Sequence, residues 1–237
     1  MIEDILERFP KVRNPLLPEY EAVYEKHYSE NRKALTNASR VTKMMEAWRY
    51  KKVAYMAKKV GGGVTLKIGA GTLNQLDYED ANGVYDIVEP KHKLFEDSVH
   101  IKRVNTIYDD IKDIPLEKKY DRITSLYTFE HIANLPEVIS LAGGHLDIDG
   151  MLIVIIPNEG RFLWRFAYNN TTGREFKRRY GLDYEVIMQY VHVNTADEIE
   201  ALLRYYFKDV KEQLFGITKS FAFYRYYECK QPIGRWI

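Results

Sequence analysis

The chain has 237 residues, of which 46% are hydrophobic and 29% are charged, and this composition excludes an intrinsically disordered protein. Its single cysteine, Cys229, excludes a disulfide scaffold, and its longest apolar run, residues 151–156, is about a third of what a bilayer crossing needs. The 35 Lys and Arg against 34 Asp and Glu leave a net charge of +1, so no overall positive field favours nucleic acid. Together with a start that lacks an apolar signal core, these features predict a cytoplasmic protein.

Residues 1–60 are predicted to form an N-terminal helical cap, and residues 61–237 a core domain. Helices are expected over residues 2–8, 19–33 and 37–59, with a proline-containing break after the first. The third helix places its apolar residues three and four positions apart, which predicts one face packed on a core. Those apolar residues are Val41, Met44, Met45, Trp48, Tyr55 and Met56.

Seven runs of apolar or aromatic residues predict a seven-stranded sheet in an α/β fold. They are residues 64–68, 84–88, 101–107, 121–126, 151–156, 207–215 and 220–229. Several lack polar alternation, which is typical of parallel strands covered on both faces by helical crossovers. The short link between the last two runs predicts an antiparallel pair, and Thr195-Ala-Asp-Glu198 predicts a capping box that begins a helix through Arg204.

Residues 158–193 follow neither the helical nor the strand period. They interrupt the alternation after the fifth strand, where an open parallel sheet has its ligand crevice, so we interpret them as a lid. Between residues 161 and 180 this segment carries an excess of five positive charges. The basic residues are Arg161, Arg165, Arg174, Lys177, Arg178 and Arg179, against the single acid Glu175.

Such an excess predicts an anionic acceptor, because arginine side chains suit phosphate or diphosphate. Aromatic residues between 162 and 168 also leave open a lipid-linked acceptor or a transient peripheral contact with a membrane. The alternative for the whole segment is a solvated basic helix over an aromatic core contact.

A glycine turn follows the first predicted strand, with glycines at positions 69 and 71. Glycines there let a ligand approach the backbone closely, and a helix after them would present free amides. A dinucleotide-binding pattern requires glycines at 69, 71 and 74, and a related pattern requires them at 69, 71 and 73. Each pattern matches at two of three positions, since residue 74 is Asn and residue 73 is Leu. Glu89 ends the second strand, and its carboxylate can accept both hydroxyl protons of a ribose in nicotinamide and adenosyl cofactors alike.

Motifs further along the chain distinguish an adenosyl cofactor from a nicotinamide cofactor. An acid pair at 109–110 follows the third strand, Tyr120-Asp121 opens the fourth, and Glu130-His131-Ile132 opens the next helix. Over about residues 64–157 the chain thus resembles the class I methyltransferases that use S-adenosylmethionine, of the small-molecule kind. The resemblance implies a Rossmann-like, mostly parallel seven-stranded sheet with an antiparallel C-terminal pair, and S-adenosylmethionine as the cofactor.

The resemblance also implies which residues hold the cofactor. The glycine turn would pass its methionine end, Glu89 would hold the ribose hydroxyls, and Asp110 with the Ile111 amide would contact adenine. The predicted cofactor-binding residues are Lys67, Gly69, Ala70, Gly71, Glu89, Pro90, Asp110, Ile111, Ser125 and Leu126. Two positions depart from the family, because Lys67 replaces a usual acid and Leu73 replaces a third glycine. Lys67 removes a negative charge from the neighbourhood of the cofactor's ammonium and sulfonium groups, which predicts weakened or rearranged cofactor binding.

Methyl transfer from a sulfonium requires the acceptor to be aligned and, if it is a hydroxyl, deprotonated. His131 is the candidate base and Glu130 the group that orients it. Two candidate ligands without a third are too few to predict a metal site. The predicted acceptor-binding residues are Tyr127, Arg161, Arg165 and His192.

The sequence therefore predicts a methyltransferase for a small, polar, anionic acceptor such as a phosphorylated or nucleotide-linked sugar, with O-methylation favoured over N-methylation. A non-catalytic S-adenosylmethionine-binding module is the alternative that Lys67 and Leu73 keep open. A nucleic-acid methyltransferase is disfavoured because residues 125–128 are Ser-Leu-Tyr-Thr rather than a Pro-Pro-Tyr tetrad. A nicotinamide oxidoreductase is disfavoured by Asn74 and Asp110. The oligomeric state stays open.

Overall fold

The computed structural model describes residues 2–24, 48, 50–56, 58, 63–79, 83–158 and 172–234. Helix α1 spans Ile2–Leu6, and residues 18–24 and 50–56 are also helical. Met56 is buried and Trp48 is partly buried, as predicted for the apolar face of the third helix. Tyr55, which was assigned to the same face, is instead 63% exposed, and Val53 takes its place in the core. Most of that predicted helix lies outside the described residues.

The sheet has seven strands in the order β3-β2-β1-β4-β5-β7-β6, and this confirms the predicted fold class. The strands are β1 Thr65–Ile68, β2 Tyr85–Val88, β3 Thr106–Tyr108, β4 Tyr120–Leu126, β5 Leu146–Pro157, β6 Phe207–Gly216 and β7 Ala222–Pro232. Only β7 runs antiparallel to its neighbours β5 and β6, so the predicted C-terminal antiparallel pair is present.

The third strand is shorter than predicted. Residues 101–103 form a 3₁₀ turn instead, because the amides of Arg103 and Val104 donate to the nearby carbonyls of His100 and Ile101. A strand would need those amides for a neighbouring strand. The apolar residues of this stretch predicted that it packs beside the sheet, but they did not predict its local hydrogen bonds.

Four further α-helices are described: α2 Leu135–Gly144, α3 Thr172–Tyr180, α4 Tyr184–Val191 and α5 Ala196–Tyr206. The predicted capping box is confirmed, since Thr195 and Glu198 satisfy each other's backbone amides at the start of α5. The helix predicted after the glycine turn is wrong in kind. Residues 74–77 form only a short 3₁₀ turn, and no side chain caps its start.

Both faces of the sheet are covered. On one face, Leu66, Ile68 and Ile123 join a core with residues of α2 and α5. On the other, Ile153 and Ile155 pack against Val53 and Met56. We call the described residues before position 63 the N-terminal segment. Its helical stretch 50–56 covers the face of the sheet that α2 and α5 leave open, as a buried parallel sheet requires.

The described part of the predicted lid is helical. Phe176 of α3 and Ile187 of α4 form a small separate core with Tyr20, and the Asp183 amide donates to the Tyr20 hydroxyl at 3.1 Å. The C-terminal half of the lid therefore packs on the N-terminal segment. Arg161 and Arg165 lie outside the described residues. None of the helices in the described part of the chain is long and apolar enough to cross a membrane.

Candidate active site

The carboxyl ends of β1, β2, β4 and β5 meet at one edge of the sheet. The chain leaves β1 toward β2 on one side, and β4 lies against β1 on the other, so a switch point separates β1 and β4. Open α/β sheets bind ligands in the crevice outside such a point. Gly69, Glu89 and Tyr127 are the first residues after β1, β2 and β4.

The glycine turn is held by Glu89. The carboxylate accepts from the Gly71 amide at 3.0 Å and from the Lys91 amide at 3.1 Å, and Glu89 is only 7% exposed. Gly69 has φ +71°, and a Cβ there would lie 2.1 Å from Thr128 Oγ1, so no larger residue fits. Gly71 has φ +56°, and a Cβ there would meet nothing within 4 Å, so this part of the turn borders open space.

The structure explains how a leucine can replace the family's third glycine at position 73. Its φ of 63° is the left-handed conformation that a glycine would adopt without strain. The side chain is 1% exposed and packs in a cluster with Leu76 and Phe95, and this burial offsets the strain. Leucine at 73 therefore keeps the backbone course that the missing glycine would have allowed.

The remaining residues of the predicted cofactor set lie on the same strands and turns. Lys67 is buried within β1 beside Ile87 and Thr124 of the adjacent strands, and Ala70 is buried in the glycine turn. Pro90 is exposed. Ser125 and Leu126 end β4 and are both buried. The Ser125 hydroxyl has no hydrogen-bond partner among the described residues, so a polar group remains at the predicted pocket floor.

Asp110 begins a 3₁₀ turn after β3. Its carboxylate accepts from the Lys112 amide at 3.0 Å, and its own amide donates to Asp113. Asp110 is exposed, while Ile111 is buried in the main core. The residues predicted to contact adenine thus lie in a capped turn that follows β3.

Tyr127 follows β4 in a left-handed conformation with φ 54°, although it is not a glycine. Its ring packs edge-to-face with that of Tyr224, with the ring centroids 5.3 Å apart, and its amide donates to Ile155 O. Such backbone strain persists only where the surroundings impose it, and it is concentrated at functional sites.

Glu130 and His131 lie in a 3₁₀ turn, Phe129–His131, which begins two residues after Tyr127. Glu130 is buried, and its Oε1 lies 3.9 Å from Nε2 of His131, whose side chain is 34% exposed. His131 Nδ1 lies 3.0 Å from Val191 O, and a carbonyl only accepts, so Nδ1 carries the proton and Nε2 the lone pair. Burial, and then the neighbouring His192 ring, lower the pKa of His131 to about 4, so the imidazole is neutral at neutral pH.

His192 is brought to this pair by the tertiary structure. Its ring centroid lies 4.6 Å from that of His131, although 61 positions separate the two residues in the chain. One ligand atom from each of Glu130, His131 and His192 can be chosen so that all three lie within 4.8 Å of one another. The sequence predicted His192 only as an acceptor-binding residue.

No family model matches the chain. The structure is similar to that of the plantazolicin methyltransferase BpumL in complex with a monoazolic desmethylPZN analog and SAH. The TM-score is 0.66 and the identity 16%, over 98% of this chain and 99% of that chain. The fold is that of the class I methyltransferases. A methyltransferase from Thermotoga maritima, described as a possible histamine N-methyltransferase, has TM-score 0.51 and 20% identity, over 81% of this chain and 96% of that one.

A curated protein matches part of the chain in sequence. Malonyl-(acyl-carrier protein) O-methyltransferase from Bacillus cereus is 31% identical over 94 residues, which cover 37% of this chain. The match spans 35% of that enzyme, or about a third of its length.

Three residues that sequence reasoning missed support the crevice of this methyltransferase fold. Thr128 packs against Gly69, Arg13 donates to the His131 carbonyl, and Asn194 donates to the carbonyls of Phe129 and Ile132. Only Asn194 carried a local signal, since it immediately precedes the capping box of α5. The other two depend on contacts between distant segments.

Proposed function

We propose that the chain is an S-adenosylmethionine-dependent methyltransferase that acts on a small, polar, anionic acceptor, with O-methylation favoured. The observation that carries the proposal is the open glycine turn, held by Glu89 at the β1–β4 switch point and adjacent to the Glu130–His131 turn. The structural neighbour solved with SAH and the curated O-methyltransferase relative support it.

In this proposal the cofactor lies across the carboxyl ends of β1 to β4. Glu89 would accept from the ribose hydroxyls, which requires its carboxylate to share or exchange the amide contacts with Gly71 and Lys91. Asp110 and Ile111 would contact adenine, and Ser125 would face the methionine part. Lys67 supplies no carboxylate for the cofactor's ammonium group. Cofactor binding therefore depends more strongly on the buried carboxylate of Glu89.

Replacing Glu89 should weaken cofactor binding. In Glu89→Ala the ribose loses a charged acceptor worth about 1.5–3 kcal/mol, a roughly 10- to 160-fold rise in the dissociation constant for SAH. Glu89→Gln keeps the shape and one acceptor oxygen, so an intermediate loss is expected. Calorimetric titration with SAH measures both.

The matched control is Glu96→Ala, because Glu96 is an exposed glutamate on the segment that follows β2. It should bind SAH as the wild type does. Unchanged affinity in Glu89→Ala would remove the ribose assignment, and no SAH binding by the wild type would remove the proposal.

The acceptor proposal depends on the basic residues of the lid. Arg174, Lys177, Arg178 and Arg179 are exposed on α3, while Phe176 of the same helix is buried against the N-terminal segment. The helix is thus held by its apolar side, which carries Phe176 and Tyr180, and it presents its charge to solvent. Arg161 and Arg165 remain the predicted acceptor contacts.

An acceptor screen tests this proposal. Phosphorylated and nucleotide-linked sugars should be methylated with higher kcat/KM than their neutral counterparts, and added salt should raise KM because the contact is partly solvated. Arg165→Ala should raise the acceptor's KM while leaving kcat nearly unchanged. A preference for neutral compounds, or a KM that salt does not change, would contradict the anionic acceptor.

A non-catalytic S-adenosylmethionine-binding module is the second candidate, favoured by the buried Lys67 in place of an acid. Tight SAH binding with no turnover of any acceptor in the screen would select it. Its other argument is weaker, because Leu73 adopts the conformation of the glycine it replaces.

A further inference from the structure

Glu130, His131 and His192 form a cluster that has the composition of a metal centre. We propose that these three side chains bind one divalent transition-metal ion at the acceptor side of the crevice. Their ligand atoms lie within 4.8 Å of one another, so a central ion would lie no more than about 2.8 Å from each. Shifts of less than about 1 Å reach the 2.0–2.2 Å typical of nitrogen and carboxylate ligands.

The orientation of His131 is that of a metal ligand. Its Nδ1–H donates to the Val191 carbonyl at 3.0 Å, which fixes the ring and leaves the Nε2 lone pair 3.9 Å from Glu130 Oε1. Metal-ligating histidines almost always donate their other ring N–H to a carbonyl or carboxylate in this way. The second coordination shell is therefore in place.

The backbone holds the third ligand in position. The amides of Val193 and Asn194 both donate to the Glu130 carbonyl, at 2.9 and 3.2 Å. The buried Asn194 amide group donates to Phe129 O at 2.8 Å and to Ile132 O at 2.7 Å. Together with the Val191 carbonyl, which accepts from His131, these bonds tie the residues on each side of His192 to the turn that carries Glu130 and His131.

The ligand set indicates which ions would bind. Two imidazoles and one carboxylate suit zinc, cobalt, iron or manganese, whereas magnesium and calcium prefer oxygen ligands alone. Three protein ligands leave at least one coordination position open, as in catalytic rather than structural zinc sites. The 34% exposure of the His131 side chain provides a path from solvent.

The open position would suit an oxygen of the acceptor. A coordinated hydroxyl loses its proton more easily than a free one, and an anionic acceptor is attracted to the cation. This functional role rests on the proposed methyl transfer. Cation binding does not, because it is measured without cofactor and without acceptor.

Titration of untagged, chelator-treated protein with CoCl₂ tests the proposal. We expect one Co²⁺ per chain, with visible absorption bands of a low-coordinate site that ZnCl₂ abolishes by competition and MgCl₂ does not. Because changes to outer-shell partners alone lower metal affinity about 10- to 100-fold, His192→Asn and Glu130→Gln should each weaken Co²⁺ binding at least 10-fold.

His100→Asn is the matched control, since His100 is a histidine outside the cluster that pairs with Asp77 at 2.6 Å. It should bind Co²⁺ as the wild type does, and circular dichroism should show that all variants are folded. Absence of stoichiometric Co²⁺ binding by the wild type, or equal binding by His192→Asn, would overturn the metal site. Equal competition by Mg²⁺ would overturn the assignment to a transition metal. Each of these results leaves SAH binding and methyl transfer to be judged separately.

Discussion

His131→Ala should lower turnover of a hydroxyl acceptor by about 10²- to 10⁴-fold while leaving the dissociation constant for SAH within about twofold. The substitution removes the Nε2 lone pair, whether that lone pair accepts the proton directly or holds a cation that makes the hydroxyl more acidic. The glycine turn and Glu89 are untouched, so the cofactor site remains. Single-turnover rates and calorimetry with SAH measure the two quantities.

The comparison of acceptors makes this test specific. With an amine acceptor alignment suffices, so the loss of turnover in His131→Ala should be small. His100→Ala serves as the control, because it removes an imidazole from outside the cluster. A His131→Ala enzyme that retains full activity on a hydroxyl acceptor would contradict a role for this residue. A parallel loss of SAH affinity would indicate a structural role instead.

The second large effect concerns a buried ion pair between Arg122 of β4 and Glu79. The pair is bidentate, with Arg122 Nη2 at 2.6 Å and Nη1 at 3.1 Å from the carboxylate oxygens, and both side chains are only 4% exposed. Arg122 also donates to Thr65 Oγ1 of β1 and to the Val53 carbonyl of the N-terminal segment. This one side chain therefore connects β4, β1 and the segment that covers the sheet.

Glu79→Ala should lower the free energy of unfolding by about 3–5 kcal/mol, because it leaves an uncompensated buried guanidinium. Denaturant unfolding measures the change. A double variant, Glu79→Leu with Arg122→Met, should recover most of the loss, since apolar pairs of similar volume often replace buried ion pairs without destabilisation.

The control for this prediction is Asp209→Ala. Asp209 pairs with Lys211 at 4.0 Å on the surface, with side chains 43% and 67% exposed, so its removal should change stability by less than about 1 kcal/mol. A loss in Glu79→Ala no larger than that in Asp209→Ala would show that the buried charge is not the cause. A double variant as unstable as Glu79→Ala would assign the loss to packing.

Patterns of adjacent residues predicted much of this fold. Apolar runs without alternation predicted buried parallel strands. In agreement, residues 151–157 of β5 and the residue after it are all buried. The capping box of α5 was also readable, because Thr195 and Glu198 satisfy amides within one turn. The positive φ at Gly69 was readable for the same reason, since it is a local backbone angle, whereas the close approach of Thr128 to Gly69 was not. Such features depend on hydrogen bonds and dihedral angles within a few residues.

Tertiary structure decided the features that join distant segments. His192 meets Glu130 and His131 only because Val193 and Asn194 hydrogen-bond to the turn after β4, and no local pattern encodes a contact across about 60 positions. The short β3 and the 3₁₀ turn after the glycines were decided by which carbonyls were within reach. The left-handed conformation of Leu73 likewise depends on tertiary structure. A leucine side chain disfavours this conformation, and the packing of that side chain in a buried cluster offsets the strain.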